Sequence, residues 1–334
     1  MNSMQIISVV VFLVVMIALV TEKVHRTAAA VSGAVLLLCL RILSVDEAVS
    51  YIDFGTIGVL VGMMLFVAVV RNSGLFEYVA IKAAKIAKGN PWRIMLLFTV
   101  LTAVLSAFLD NVTTVLLVGP MTIAITGILG LNPVPFLLTQ ILASNIGGTA
   151  TLIGDPPNII IGTSLGYTFF DFIENTGAVV AICFVFMLIY FTLCFRKELE
   201  RAEHANGGPV TCPEPSTAIT NKKAFLASAG VFLLAVVLLI THAQTELSVA
   251  CIGVIVAVLT MIVLGLTSGK KSVIEIIKGV DYKTLLFFIG LFVSVAGLEK
   301  TGVLNMIANF ITSVSEGNIA VIVIVILWLS AITS

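Results

Sequence analysis

Two polar clusters sit inside otherwise apolar segments. The first is Asp110-Asn111-Val112-Thr113-Thr114. The second is Ser144-Asn145-Ile146-Gly147-Gly148-Thr149, followed closely by Gly154-Asp155-Pro156-Pro157-Asn158. A carboxylate surrounded by apolar sequence is costly to bury and useful when buried, because it can hold a cation or carry a proton. Amides and hydroxyls add neutral oxygens. Glycines free the backbone, and two successive prolines cannot continue a regular helix. A helix broken at such a point exposes carbonyls at one half-end, which suit cations, and N–H groups at the other, which suit anions. The candidate binding residues are therefore Asp110, Asn111, Thr113, Thr114, Ser144, Asn145, Gly147, Gly148, Thr149, Asp155 and Asn158, with sodium a candidate at Asp110, Asn111 and Asn145.

Plainer readings stand beside this one. Asn111 or Thr113 could cap the helix that follows, and Asp110 could do no more than cap. Asp155 could cap the second half of a broken helix. The Gly-Asp-Pro-Pro-Asn run could be only a kink. Against pure capping, an Asn or Thr would cap without a permanent charge. Pro120, Pro133 and Pro135 read as shaping helix ends, and Gly62, Gly127 and Gly130 as packing residues.

The elements that must position these residues are membrane spans. Hydrophobic residues make up 59% of the 334-residue chain and charged residues 11%, against about 25% charged in ordinary soluble domains. Several apolar runs approach the roughly 20 residues that cross a hydrocarbon core. The expected fold is all-α and polytopic. Its expected helices cover 4–20, 27–43, 56–70, 93–109, 113–131, 133–162 with an interruption, 177–195, 224–241, 248–266, 284–298 and 319–334, with interfacial helices at 75–88 and 303–315. The first run lacks a basic leader and is read as a retained helix, not a cleaved signal. His25, His204 and His242 fall in loops far apart, and the cysteines show no ligand spacing. No metal centre and no cofactor is expected. Zero net charge leaves no basic field for nucleic acid.

Charge asymmetry orients the spans. With the N-terminus outside and segment 93–131 entering and returning as a hairpin, every Lys and Arg except Arg41 and Lys300 falls on the cytoplasmic side, while Asp46, Glu47, Asp53, Asp171, Glu174 and Glu246 fall outside. This is the bias that membrane insertion imposes.

An internal repeat supports an inverted arrangement. Shifting the chain by 228 residues aligns Asp53 with Asp281, Thr56 with Thr284, Gly62 with Gly290, Gly74 with Gly302 and Gly89-Asn90 with Gly317-Asn318. Gly33 and Gly253 also correspond, after a short insertion. The two copies start on opposite sides, as inverted-repeat transporters do. The expected organisation is a first repeat over 1–195, a cytoplasmic loop linker over 196–223 and an incomplete second repeat over 224–334. Ser106 leads into the polar cluster, whereas its counterpart Ser334 is the last residue. A full second copy would need roughly another 100 residues.

Phe108-Leu109-Asp110-Asn111-Val112-Thr113-Thr114 and the stretch from Ser144 to Asn158 resemble the arsenite-permease/NhaD branch of the ion transporter superfamily, with its citrate-transporter-like and P-protein-like members. The resemblance implies a scaffold, re-entrant hairpins and a mobile transport domain. It implies Asp110, Asn111 and Thr113 at a hairpin tip, and Ser144, Asn145, Gly148 and Thr149 lining an unwound helix. It implies an integral protein of a prokaryotic plasma membrane that meets a small ion or anion and the lipid bilayer, and it leaves a homodimer open.

The expected function is secondary active transport of a small inorganic or organic anion, arsenite-like, or sodium–proton antiport. The alternative on the same fold is a proton- or sodium-coupled citrate or dicarboxylate carrier, although no intramembrane Arg or Lys is seen. An integral-membrane enzyme is disfavoured, since no intramembrane His or nucleophile–base pair is present. The topology has a direct check. A cysteine introduced at Gly207 should react with an impermeant maleimide only from the cytoplasm, and one at Asn175 only from outside; the reverse pattern would overturn both the orientation and the inversion.

Overall fold

In a computed structural model, the structure describes residues 2–205, 214–219, 221–316 and 318–333. The described residues are helical and contain no strand. The helices are α1 (Ser3–Thr21), α2 (Arg26–Cys39), α3 (Val45–Ser50), α4 (Phe54–Asn72), α5 (Leu75–Ala87), α6 (Pro91–Ser106), α7 (Asn111–Ile128), α8 (Val134–Thr149), α9 (Pro156–Leu165), α10 (Phe169–Ala205), α11 (Lys222–Ile240), α12 (His242–Thr245), α13 (Val249–Ser268), α14 (Lys270–Lys278), α15 (Tyr282–Lys300), α16 (Val303–Val314) and α17 (Ile319–Thr333). Of these, α1, α4, α7, α11, α13, α15 and the Phe169–Arg196 part of α10 are long and apolar enough to cross a membrane. Their outward faces carry large apolar side chains, such as Ile182, Phe186, Ile189 and Leu193 along α10. The protein is a multi-pass membrane protein.

The chain divides into two compact units, residues 1–54 with 281–334 and residues 55–280. The composition of each follows the repeat. At a shift of 228, the bounds of α4 fall on those of α15, and the starts of α5 and α6 fall on the starts of α16 and α17. Even the left-handed residues between them correspond, Gly74 (φ 79°) with Gly302 (φ 76°) and Lys88 (φ 53°) with Glu316 (φ 50°). At a shift of 220, buried Ser8, Val11 and Val15 of α1 match buried Ser228, Val231 and Ala235 of α11. The first unit therefore joins α1–α3 of one copy to α15–α17 of the other. The second joins α11–α14 to α4–α10.

The same packing device recurs in both. In the first unit α15 crosses α2 so closely that a side chain at Gly290 would collide with the backbone of Ala30 and Val31. In the second unit a side chain at Gly62 of α4 would collide with the backbone of Gly253 of α13. Small residues allow this approach, and in a bilayer close van der Waals contact supplies the association energy. Outside the spans, Glu47 of α3 accepts from the Lys300 ammonium and from the Ser44 backbone N–H. Its carboxyl is held down at about 2, first by that ammonium and then by the Ser44 bonds.

Several expectations change. The segment after 195 is not a loop, because α10 continues through Ala205; residues 206–213 of the expected linker, Gly207 among them, lie outside the described residues. The charged Arg196–Ala205 stretch simply has no breaker until Gly207-Gly208-Pro209. Pro120 lies inside α7 and ends no helix. Gly127 packs against nothing, and Gly130 (φ 63°) is a turn residue. His242 is not in an open loop. It sits on α12, nine-tenths buried, and its Nε2 accepts from the Phe169 backbone N–H at 2.7 Å, pinning the start of α10. Burial pushes its pKa down, which keeps the ring neutral and able to accept.

Two tests follow. A methyl group at Gly62 should destabilise the protein by about 1–3 kcal/mol. At Gly58, one turn away with open space around it, the same change should stabilise by about 0.5–1 kcal/mol through helix propensity. Unfolding midpoints of Gly62→Ala and Gly58→Ala in detergent measure the contrast. The His242 contribution has a defined sign. Its folded pKa is depressed, so the stability is complete above the ordinary histidine value and is lost as pH falls toward the folded value. Wild type and His242→Gln should therefore converge in stability on acidification.

Candidate ion site at a broken helix

The polar clusters come together where three chain segments meet. The tip between α6 and α7 spans residues 107–110, α8 ends at Thr149, and residues 150–155 form an irregular break before α9. Glycines permit the meeting. A side chain at Gly147 would strike the Ala103 carbonyl of α6, one at Gly148 would strike Asn111 Oδ1, and one at Gly154 would strike the carbonyls of Gly148 and Ser106. Helix α6 has 16 residues, about 24 Å at 1.5 Å per residue. That is short of a roughly 30 Å hydrocarbon core.

Asp110 is the N-cap of α7. Its Oδ1 accepts from the Thr113 N–H at 2.9 Å, so the cap is neither Asn111 nor Thr113. Asn111, freed from capping, is the centre of the cluster. Its Nδ2 donates to Asn145 Oδ1 at 2.9 Å and to Asp155 Oδ2 at 3.3 Å. Its Oδ1 lies 3.0 Å from the Ser106 hydroxyl, whose single proton is shared with the Ser144 carbonyl at 2.7 Å.

Asp155 occupies the N-cap position of α9 but makes no side-chain capping bond. Pro157 has no N–H to cap, and the N–H of Asn158 is taken by the Asp155 backbone carbonyl at 3.0 Å. Its carboxylate turns to Asn111 instead. Asp110 and Asp155 are close enough for their charges to act on one another. Among the described residues, neither carboxylate is in an ion pair.

The break begins after Thr149, so Ser144, Asn145, Gly147, Gly148 and Thr149 belong to the last turns of regular α8 and not to an unwound stretch. Asn158 acts as a brace. Its Nδ2 donates to the carbonyls of Gly148 at 3.0 Å and Thr151 at 2.9 Å, two groups the helix no longer satisfies. The Thr151 hydroxyl bonds the Ala107 carbonyl and ties the break to the tip. Thr149 donates back to the Asn145 carbonyl at 2.9 Å. Thr114 is fully buried, and its hydroxyl has no hydrogen-bond partner among the described residues.

Sequence reasoning missed the parts played by Ser106 and Phe108, and it read Thr151 only as one more oxygen of the second cluster. Ser106 is marked only as one member of a repeat pair. Phe108, in the tip, packs edge-on against Phe232 of α11 with ring centroids 6.2 Å apart, and Phe232 in turn meets Phe66 and Phe76. Nothing in the chain order signals that aromatic seat.

What remains uncommitted decides the chemistry. Asn111 and Asn158 have spent both amide N–H bonds. Among the described residues, the oxygens left are the second oxygens of Asp110 and Asp155 and the Thr113 and Thr114 hydroxyls, since the Ser144, Gly147 and Gly148 carbonyls already accept from Ser106, Ala150 and Asn158. The start of α9 offers an anion little, because Pro156 and Pro157 carry no N–H and the N–H of Asn158 is bonded to the Asp155 carbonyl at 3.0 Å. Oxygen-rich, doubly acidic and without a cationic side chain, the cluster suits a hard monovalent cation or a proton.

Comparison with known proteins places this arrangement. A family profile described as citrate transporter matches residues 16–334. An uncharacterised transporter of Mycobacterium tuberculosis is 36% identical over 332 residues, which cover 98% of this chain and 76% of that protein. An uncharacterised transporter of Synechocystis is 28% identical over 326 residues, covering 96% of this chain and 71% of the relative. The human P protein is 39% identical over 182 residues, 52% of this chain and 22% of its own length. A profile matching nearly the whole chain, over a helical membrane fold with a broken helix at its polar centre, shows that the chain belongs to the citrate transporter family of membrane transporters.

Proposed function

We propose that the protein is a secondary active transporter in which sodium or a proton binds at the Asp110–Asn111–Asp155 cluster and drives movement of a small anion. The observation that carries this reading is that Asn111, the neighbour of Asp110 in the chain, holds the Asp155 carboxylate where the charge of Asp110 acts on it, and that neither carboxylate has an ion-pair partner among the described residues. Two like charges at membrane depth are relieved by a cation or a proton. An anion arriving at this cluster needs positive charge, and the bound cation supplies it. Coupling then follows from charge balance, because substrate and cation bind better together than apart. No covalent step is involved.

The short α6, the tip at 107–110 and α7 form the re-entrant hairpin of the proposal, and the two copies lie inverted across the membrane, the N-terminus outside. The membrane is the plasma membrane of a prokaryote. Carriage of a citrate-like carboxylate is favoured over arsenite or simple sodium–proton exchange by the family profile's description.

Flux in proteoliposomes tests this. Labelled citrate uptake should require an inward sodium or proton gradient. Asp155→Asn should lower coupled flux by about tenfold or more, the loss expected of a charged ligand. Asp110→Asn should lower flux similarly while changing stability by less than about 1 kcal/mol, since Asn caps as well as Asp. Wild-type flux with unchanged ion dependence in both variants would remove the cluster from the mechanism. Uptake that ignores both gradients would remove the coupling.

A further inference from the structure

The two copies of the repeat differ sharply in one small element. In the first copy, α3 follows α2 and carries Asp46 and Glu47, and Glu47 is neutralised by Lys300. In the second copy, α14 follows α13 and reads Lys270-Lys271-Ser272-Val273-Ile274-Glu275-Ile276-Ile277-Lys278. None of its lysines is in an ion pair among the described residues.

Among the described residues, helix α14 packs through one edge. Ile276 is buried against Val69 and Leu264, with Val273 packed beside them. Ile274 and Ile277 are 51% and 43% exposed. At 100° per residue, Lys270 lies between these two isoleucines and Lys278 beside Ile274, so the free edge is amphipathic. A second pair of lysines is fixed next to it. The Asn221 side chain donates to the Thr267 carbonyl at 3.3 Å, which ties the start of α11 to the end of α13. Lys222 and Lys223 are thereby held near Lys270 and Lys271, all four exposed. They stand at the ends of two membrane-crossing helices, beside Leu266, which is 83% exposed.

We infer that α14 and the ends of α11 and α13 form a docking surface for anionic phospholipid headgroups. The exposed isoleucines enter the acyl boundary, and Lys222, Lys223, Lys270 and Lys271 meet the phosphates. Lysine clusters immediately beside a span attract anionic leaflets, each charge adding to the affinity. An amphipathic helix adds apolar burial in the interfacial plane. General insertion bias accounts for basic residues anywhere on one side. It does not account for exposed isoleucines interleaved with those lysines on a helix held in place by Ile276 and Val273.

The purified full chain in neutral detergent is titrated with short-chain phosphatidylglycerol, with the matching phosphatidylcholine, or with inorganic phosphate. Unfolding midpoint and native mass spectrometry are read. Wild type should prefer phosphatidylglycerol by about tenfold or more. The combined Lys222→Gln, Lys223→Gln, Lys270→Gln and Lys271→Gln variant should lose that preference. A control removing the same charge elsewhere, Arg71→Gln, Lys82→Gln, Lys88→Gln and Arg93→Gln, should keep it. Equal loss in both variants would mean diffuse charge and overturn the surface. Inorganic phosphate acting at the same concentration as the lipid would overturn the lipid as occupant. If the lysine variant does not fold, Ile274→Asn with Ile277→Asn decides: loss of the preference supports the surface, and retention overturns it.

Discussion

A membrane helix can be broken at depth only if every backbone group that the break releases finds another partner, because hydrocarbon offers none and each unmet group costs several kcal/mol. That constraint organises the centre of this protein. Asn158 gives both amide hydrogens to carbonyls that the break releases, that of Gly148 before it and that of Thr151 within it. Thr151 gives its hydroxyl to the hairpin tip. Ser106, at the end of α6, serves the Ser144 carbonyl. Satisfying the break therefore needs the tip nearby, and satisfying the tip needs the break.

The ligand chemistry is what is left after that obligation is met. Asn111 is consumed in joining Asn145 to Asp155, and the twin prolines strip the start of α9 of the N–H groups an anion would use. Two carboxylates then share the cluster with hydroxyl and carbonyl oxygens. Glycines at 147, 148 and 154 matter as much as the polar groups, since backbone-to-backbone approach holds the oxygens together.

The repeat explains how such a centre is supported. Each compact unit combines helices from both copies, and each uses one glycine on the helix after the small connecting element, Gly290 or Gly62, to press against a partner helix. Equivalent positions carry equivalent packing while their surface chemistry diverges. Helix α3 is acidic and paired, and α14 is basic with no ion pair among the described residues. Packing faces meet protein in both copies, whereas exposed faces are free to diverge.

Much of the architecture was legible in residue order. Apolar runs, proline and glycine punctuation and the 228-residue shift located the spans and the interruption before Asn158, because these depend on local hydropathy and local backbone limits. The short helices α3, α12 and α14 were missed. A helix of four to nine residues has too few turns to show a period. The end of α10 was placed ten residues early because charge was read as loop, although charged residues make good helix. The polar residues of the candidate site were visible as a group, but their division of labour was not. Whether Asp110 or Asn111 caps α7, whether Asp155 caps α9, and whether Asn158 binds or braces depend on which acceptor lies within about 3 Å. That is set by how α6, α8 and the break pack against one another. Sequence alone determined which residues are too polar to be buried idly. Only the tertiary structure decided which of them are used up holding the backbone and which keep oxygens free, because hydrogen bonds are spent by proximity, and residues 34 and 44 positions apart become neighbours only in the folded chain.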